Sequence, residues 1–484
     1  MSDAQPSQSR TFAYLLLIFF LLSLPLANPW VHGDGVGYYA YARAPLIEHS
    51  LDFTHDYQSA NESFRSVRLD ENAVPRAAFR TRTGHLDNHF TVGPALLWSP
   101  FLIAAHLGVL LARSLGSSVP ADGFSAPYRY AMALSTSLYG FLGLLFSFLL
   151  ARKFVRVLWV FMATLAIWGA SSLAVYMYFN PSWSHAHSAF TVAWFLWYWE
   201  RTRQQRGTGQ WAILGAITAI MLNVYYANLI VVTVLLVEAI WQYADILREK
   251  GETKAAFLPL LFRQLLFGAV TLVGLSPTFL SRMIVYGGPF ETGYLPIRDF
   301  LWDSPVFLKL LFSSNHGLLS WTPILILSLL GLALFARRVP RVGVPFLAAA
   351  VAFYLFFTLY PDWAGISSFG NRFFVSLTAL FILGLSVTLE SSASLFAHQR
   401  RAVLVSGGIL GCFVLWNLGM IYQWGTHLIP ARGPISFSEA AYNQFHVVPR
   451  RVSYQLQSYL FRRNALMQQI EQKDLEQMKK SAQP

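Results

Sequence analysis

Hydrophobic residues fall in long runs separated by short polar stretches. A helix needs about 20 mostly apolar residues to cross a bilayer. Runs of that kind occupy 11–27, 91–113, 128–150, 157–179, 183–199, 211–227, 229–246, 257–280, 319–336, 342–360, 373–390 and 402–423. Interior Pro and Gly do not disqualify them, because membrane helices tolerate both. The pattern predicts an all-α polytopic bundle of about 11–13 spans, with residues 1–423 as its membrane domain and 424–484 as a polar tail.

The stretches between the runs alternate in character. "ARKFVR" (151–156), "ERTRQQR" (200–206), "REKGETK" (248–254), "ARRVPR" (336–341) and "HQRR" (398–401) are short and basic, which places them on the cytoplasmic side. The stretches with chemistry in them lie between: "NPSWSHAH" (180–187), the long 281–318 segment and "YPDWAGISSFGNR" (360–372). These are expected outside, as is the 28–90 loop with its eight acidic residues and six arginines. Two places resist the scheme. If 28–90 and 116–127 are both outside, 91–113 cannot cross once between them, so a segment is re-entrant or the count slips by one near the N-terminus. The tail carries eight basic and four acidic residues, which favours the inside, whereas the alternation puts it outside.

Composition agrees with the class. The 484 residues are 55% hydrophobic and 12% charged, where soluble domains run near a quarter charged. Fifteen Trp, 22 Tyr and 39 Phe suit aromatic belts at two interfaces. The net charge of +12 is scattered over short loops, so it reflects the positive-inside bias and not a nucleic-acid surface. One cysteine, Cys412, lies in an apolar run, so no intrachain disulfide and no cysteine metal cluster are expected. The first apolar segment is not followed by a small-residue cleavage site and is expected to be a retained helix. No Gly-rich phosphate loop is present, which argues against ATP or a soluble nucleotide sugar.

Just after the first run comes "VHGDGVGYYAYARAPLIEHSLDFTHDY" (31–57). Asp34 lies between two glycines and is followed by an aromatic-rich stretch, expected to be an amphipathic helix in the interface. The long loop then returns through "NHFTVGPALLWSPF" (88–101). This arrangement resembles the GT-C superfamily of glycosyltransferases, especially the protein O-mannosyltransferase and aminoarabinose-transferase-like branch. "YGGPFETGY" (286–294), "LFSSNHGLLSWTP" (311–323) and "DWAGISSFGNRFF" (362–374) are similar to segments of bacterial membrane proteins placed there. The resemblance implies that Asp34 is the catalytic base or orients the acceptor. The family's usual Asp-Glu pair is Asp34-Gly35 here, and its Lys-Pro-Pro is replaced by Thr91-Val92-Gly93-Pro94.

Physical chemistry points the same way. A polyprenyl-phosphate sugar keeps its tail in lipid, so its anomeric carbon sits at the membrane boundary. Attack there by a hydroxyl needs a base within hydrogen-bond reach, and partial desolvation raises a carboxylate's pKa towards a useful value. Flanking glycines let backbone approach a bulky sugar, and Tyr38, Tyr39 and Tyr41 could anchor the helix or stack on sugar rings. Asp is also a favoured N-cap, a role compatible with catalysis. A leaving phosphate calls for a planar cationic fork, and Arg372 is the candidate, the alternative being an arginine snorkelling to headgroups. Asn371 could bind phosphate or a sugar hydroxyl, and Asp362 could bind sugar or pair with Arg372. His316 could contact phosphate or acceptor, or simply cap. Asp56 and Glu291 are candidates for the missing second acid, and His89 and Tyr294 complete the substrate-binding set. His185 and His187, spaced by two, point to different sides of a helix, so no metal site is expected there. "NES" (61–63) fits a glycosylation sequon in form.

The sequence thus predicts an inverting glycosyltransferase. A sugar would pass from a polyprenyl-phosphate donor to a hydroxyl on a glycan, lipid or protein. The site would face the periplasm or cell exterior of a bacterial inner membrane, without a redox cofactor and with a divalent cation optional. The alternative is a transporter or flippase of a lipid-linked glycan, which predicts paired charges or broken helices in mid-membrane, often in two related halves. No such halves are visible.

Overall fold

The computed structural model describes residues 4–248 and 253–481; most of the basic stretch 248–254 lies outside them. The chain is a polytopic α-helical bundle, with eight helices long and apolar enough to cross a membrane among the described residues. Shorter apolar helices complete it.

α1 (Ala4–Ser23) leads into a long loop that carries α2 (Asp34–Ile47). α3 (Gly93–Ser114) and α4 (Ala126–Ala151) follow. α4 serves as a ruler for the first three. Phe20 of α1 stacks on Phe141 with centroids 4.5 Å apart, and Arg152 bonds Ser9, so α1 lies antiparallel along the second half of α4. Trp98 of α3 donates to Thr136 Oγ1 at 2.8 Å, and His106 Nδ1 meets the Tyr128 hydroxyl at 2.7 Å, so α3 lies antiparallel along the first half. Hence α1 and α3 point the same way in succession. The loop after α3 lands on the first loop: Tyr39 donates to Gly123 O at 2.7 Å, and Arg43 covers the Phe124 ring at 4.1 Å. The run 91–113 is apolar but does not cross back, and this resolves the conflict that alternation alone left open.

The remaining runs supply the other helices of the bundle. They are α5 (Val157–Gly169), α6 (His185–Thr202), α7 (Thr208–Val224), α8 (Thr233–Arg248), α9 (Thr253–Gly274), α10 (Ile324–Arg338), α11 (Pro340–Leu359), α12 (Thr378–Ala393) and α13 (Gln399–Gly425). Ion pairs tie the basic loops together at one face: Lys153 with Glu200, Arg156 with Glu390 at 2.9 Å and Arg341 with Asp245 at 3.2 Å. The run 157–179 is not one helix. It breaks after Gly169, where Asn417 of α13 donates to Gly169 O (2.9 Å) and Ser171 O (3.1 Å). Irregular backbone at that depth survives because protein groups satisfy it.

The tail is helical as well: α14 (Phe437–His446), α15 (Val448–Phe461) and α16 (Arg463–Ser481). It docks on the face of the first loop. Arg463 donates to Pro25 O (2.7 Å) and Ala27 O (2.5 Å), and Tyr459 donates to Leu26 O (2.8 Å). These carbonyls are left over where α1 ends, so basic charge in the tail is drawn to this face. Residues 424–481 therefore lie on the side of the first loop.

Candidate functional site

Asp34 is the first residue of α2, and Gly33 holds the N-cap position with φ +54°. Asp34 is therefore not the cap itself, but its carboxylate still gains from the positive end of the helix. Gly33 N donates to Asn61 Oδ1 at 3.2 Å, fixing the approach to the helix.

The glycines around Asp34 admit protein and not a sugar. A Cβ on Gly35 would overlap Ser182 Oγ and lie 2.5 Å from Ser182 Cβ, and one on Gly33 would meet the Trp183 ring at 3.3 Å. This contact seats the 180–187 segment on the first turn of α2. The third contributor is the 360–372 stretch, whose last residue begins the turn leading into α12. Arg372 Nη1 donates to Asp34 Oδ2 at 2.6 Å. Its guanidinium lies 4.7 Å from the Trp183 ring centroid, and Trp183 Nε1 donates to His32 O at 3.1 Å. Arg372 is 12% exposed and Asp34 34%, so the pair is partly dry but reachable. It lines a cavity of ≈ 570 Å³ together with His32, apolar residues of α13 such as Leu418 and Ile421, and the tail residues Leu456, Met467 and Ile470.

Several other predicted residues gather near this pair. Tyr38, one turn after Asp34, is buried and accepts from Ser184 Oγ at 3.0 Å. Asn371 is buried and donates to Trp363 O at 3.0 Å, which holds the loop, while its Oδ1 has no partner. His316 is fully buried with φ +57°, stacks on Trp321 at 4.7 Å, and leaves both ring nitrogens unpartnered. Burial and the nearby Arg372 charge hold its pKa down to about 4. Tyr294 is farther off: it packs against Tyr226 (6.0 Å) and His89 (5.0 Å) and does not line the cavity.

Others stand apart. Asp362 is exposed and does not pair with Arg372; its carbonyl accepts from Gly365 N at 2.7 Å in a turn. Glu291 is exposed, 3.9 Å from Arg82. Asp56 is buried with Arg43 at 3.2 Å, and Arg43 also serves Glu48. Burial, against that one shared cation, pushes the Asp56 carboxyl up to about 8. Neither Asp56 nor Glu291 lines the cavity that holds Asp34. α2 is buried from Gly35 to Ala44. Tyr39 and Tyr41 spend their hydroxyls on Gly123 O and Asn88 O and have no face free for lipid or sugar. His185 and His187 meet different neighbours, Tyr176 and Trp98.

Sequence reasoning missed His32, Trp183 and the tail. The amide of Asn61, in the sequon-like triplet, is engaged by Ser63 Oγ (2.7 Å) and the Glu471 carboxylate (3.1 and 3.2 Å). Val452, Leu456 and Tyr459 recur at helical spacing, which was the available signal that the tail has a packing face.

Together these features define a polytopic α-helical membrane protein with a carboxylate–guanidinium cavity at one face. No protein-family profile matches the chain, and no curated protein matches it. Among solved structures it is similar to the archaeal oligosaccharyltransferase AglB from Archaeoglobus fulgidus, in complex with an inhibitory peptide and a dolichol-phosphate. That likeness has a TM-score of 0.47 at 13% identity and covers 92% of this chain and 55% of that one, so this chain spans about half the length of that protein.

Proposed function

We propose that the protein is an inverting glycosyltransferase of GT-C type, which moves a sugar from a polyprenyl-phosphate donor to a hydroxyl of a glycan, lipid or protein. The observation that carries this reading is the Asp34–Arg372 pair, 2.6 Å apart, in a cavity lined by both charged and apolar side chains. A lipid-linked phosphosugar likewise combines a charged head with an apolar tail. Arg372, with a fork held over Trp183, suits the departing phosphate. The acceptor oxygen attacks the anomeric carbon from the face opposite the phosphate, and the bond from that carbon to the phosphate oxygen breaks. The electron pair leaves with polyprenyl phosphate, and the acceptor proton passes to Asp34 Oδ1, the oxygen not held by Arg372. By this reading Tyr38, Asn371 and His316, which stand outside the cavity lining, would hold the sugar and phosphate from behind the pair. The site would face the periplasm or cell exterior of a bacterial inner membrane.

The test follows radiolabelled sugar from a polyprenyl-phosphate donor into total envelope acceptors, in membranes with matched amounts of folded wild type or Asp34→Asn. Loss of a general base lowers transfer by roughly 10²–10⁴-fold. Equal transfer by the two removes Asp34 from the chemistry.

A further inference from the structure

The tail does not leave the bundle for solvent. Gln423 Nε2 of α13 donates to Ala440 O at 3.0 Å, and Gln444 Nε2 of α14 donates to Leu415 O at 3.0 Å. The Gln444 amide fills the notch left by Gly419, where a Cβ would overlap it. Leu415 lies ten residues before the end of α13, about 15 Å along the helix. α14 therefore turns back alongside the outer turns of α13, and α15 climbs again to the end of α1, where Tyr459 meets Leu26 O. The hairpin lies at the level at which α1 and α13 end.

One surface of this hairpin is aromatic and uncovered. Tyr442 and Phe445, three apart, are 60% and 71% exposed, and Tyr454 and Phe461, seven apart, are 67% and 79% exposed. Each pair shares a helix face. Leu415 of α13, whose carbonyl Gln444 holds, is 68% exposed beside α14, on a helix apolar enough to span a membrane. Residues 437–462 contain one acid, Glu439, against Arg450, Arg451 and Arg462, all exposed. Aromatic side chains with basic flanks and little acid are the composition of helices that lie in a membrane interface.

We propose that residues 437–462 are an interfacial hairpin seated in the leaflet on the Asp34 face. Its aromatic side chains lie at the acyl boundary, and Arg450, Arg451 and Arg462 meet phospholipid phosphates. The opposite side of the hairpin, through Leu456 and Tyr459, walls the cavity, so the hairpin stands between the cavity and the lipid. The proposal is independent of any role for Asp34.

Cys412 is the one cysteine, so Cys412→Ser supplies a background for single nitroxide labels. Labels at Tyr442→Cys, Phe445→Cys, Tyr454→Cys and Phe461→Cys, with Gln472→Cys on α16 as an exposed control, are read in full-length protein in phospholipid nanodiscs. All five positions are exposed, so the fold tolerates the labels. The expected result is accessibility to oxygen severalfold above that to a water-soluble nickel complex at the four aromatic positions, with the order reversed at Gln472. Nickel accessibility equal to the control at those four would overturn the proposal, because the face then meets water. Protection from both relaxants would overturn it too, in favour of a second protein covering the face.

Discussion

Gly35→Ala tests how the site is built, because two physical effects give opposite signs. Gly35 is the second residue of α2 and its φ is not positive, so the backbone accepts alanine. On helix propensity alone the substitution stabilises by roughly 0.5–1 kcal/mol. The new Cβ, however, would sit 2.5 Å from Ser182 Cβ and overlap its Oγ. Carbon atoms settle at about 3.5–4.0 Å, so α2 or the 180–187 segment must retreat by about 1 Å. Overpacking of this kind costs about 1–3 kcal/mol, which outweighs the propensity gain. Asp34 is the preceding residue, so the retreat also draws its carboxylate from Arg372. Ser182→Gly removes both offending atoms and orphans nothing, since Ser182 Oγ is buried without a partner; the backbone carbon of Ser182, at 3.3 Å, then has to give by only a few tenths of an ångström. The assay is apparent unfolding temperature in detergent for wild type, both single variants and the double variant, with the sugar-transfer assay alongside. The expected result is a lower unfolding temperature for Gly35→Ala and recovery in the double, a coupling of about 1–2 kcal/mol. An unchanged or raised unfolding temperature for Gly35→Ala, or an equal loss in the double, refutes the contact.

Three further outcomes follow from single residues. His316 has a pKa of about 4 when folded against 6.5 ordinarily, so the unfolded chain binds the extra proton between those values. Stability therefore rises with pH from 4 to 6.5, by roughly 3 kcal/mol, and is flat above; His316→Asn, which tolerates the left-handed backbone, flattens that acid limb in unfolding temperature against pH. Asp56, with its carboxyl pushed up to about 8, is matched by an amide. Asp56→Asn is expected to leave unfolding temperature and sugar transfer near wild type, and a loss of transfer as deep as that of Asp34→Asn would place Asp56 in the chemistry. Glu471 accepts from Ser63 N at 2.7 Å and from Asn61, bonds to a charged group worth about 1.5–3 kcal/mol each. Glu471→Ala should expose α16 to trypsin at Lys473 roughly tenfold faster or more; unchanged cleavage would show that the latch contributes nothing.

The chain's own pattern determined its class, because burying apolar runs in lipid depends on length and composition, and both are local. It also separated the basic loops from the loops that carry Asp34, Trp183 and Arg372, since charge bias is read stretch by stretch. It could not show that 91–113 turns outward: α3 is as apolar as its neighbours, and only the Trp98–Thr136 and Tyr39–Gly123 contacts set its direction. Nor could it join Asp34 to Arg372, 338 residues apart, in preference to Asp362, which is near in sequence but faces solvent. The polar tail misled for a similar reason. Its arginine count favours the other face, but Arg463 finds unpaired carbonyls at the end of α1, and its spaced apolar residues find the outer turns of α13. Local pattern fixes what a segment can bury; which surface it meets depends on partners far along the chain, and tertiary packing alone selects them.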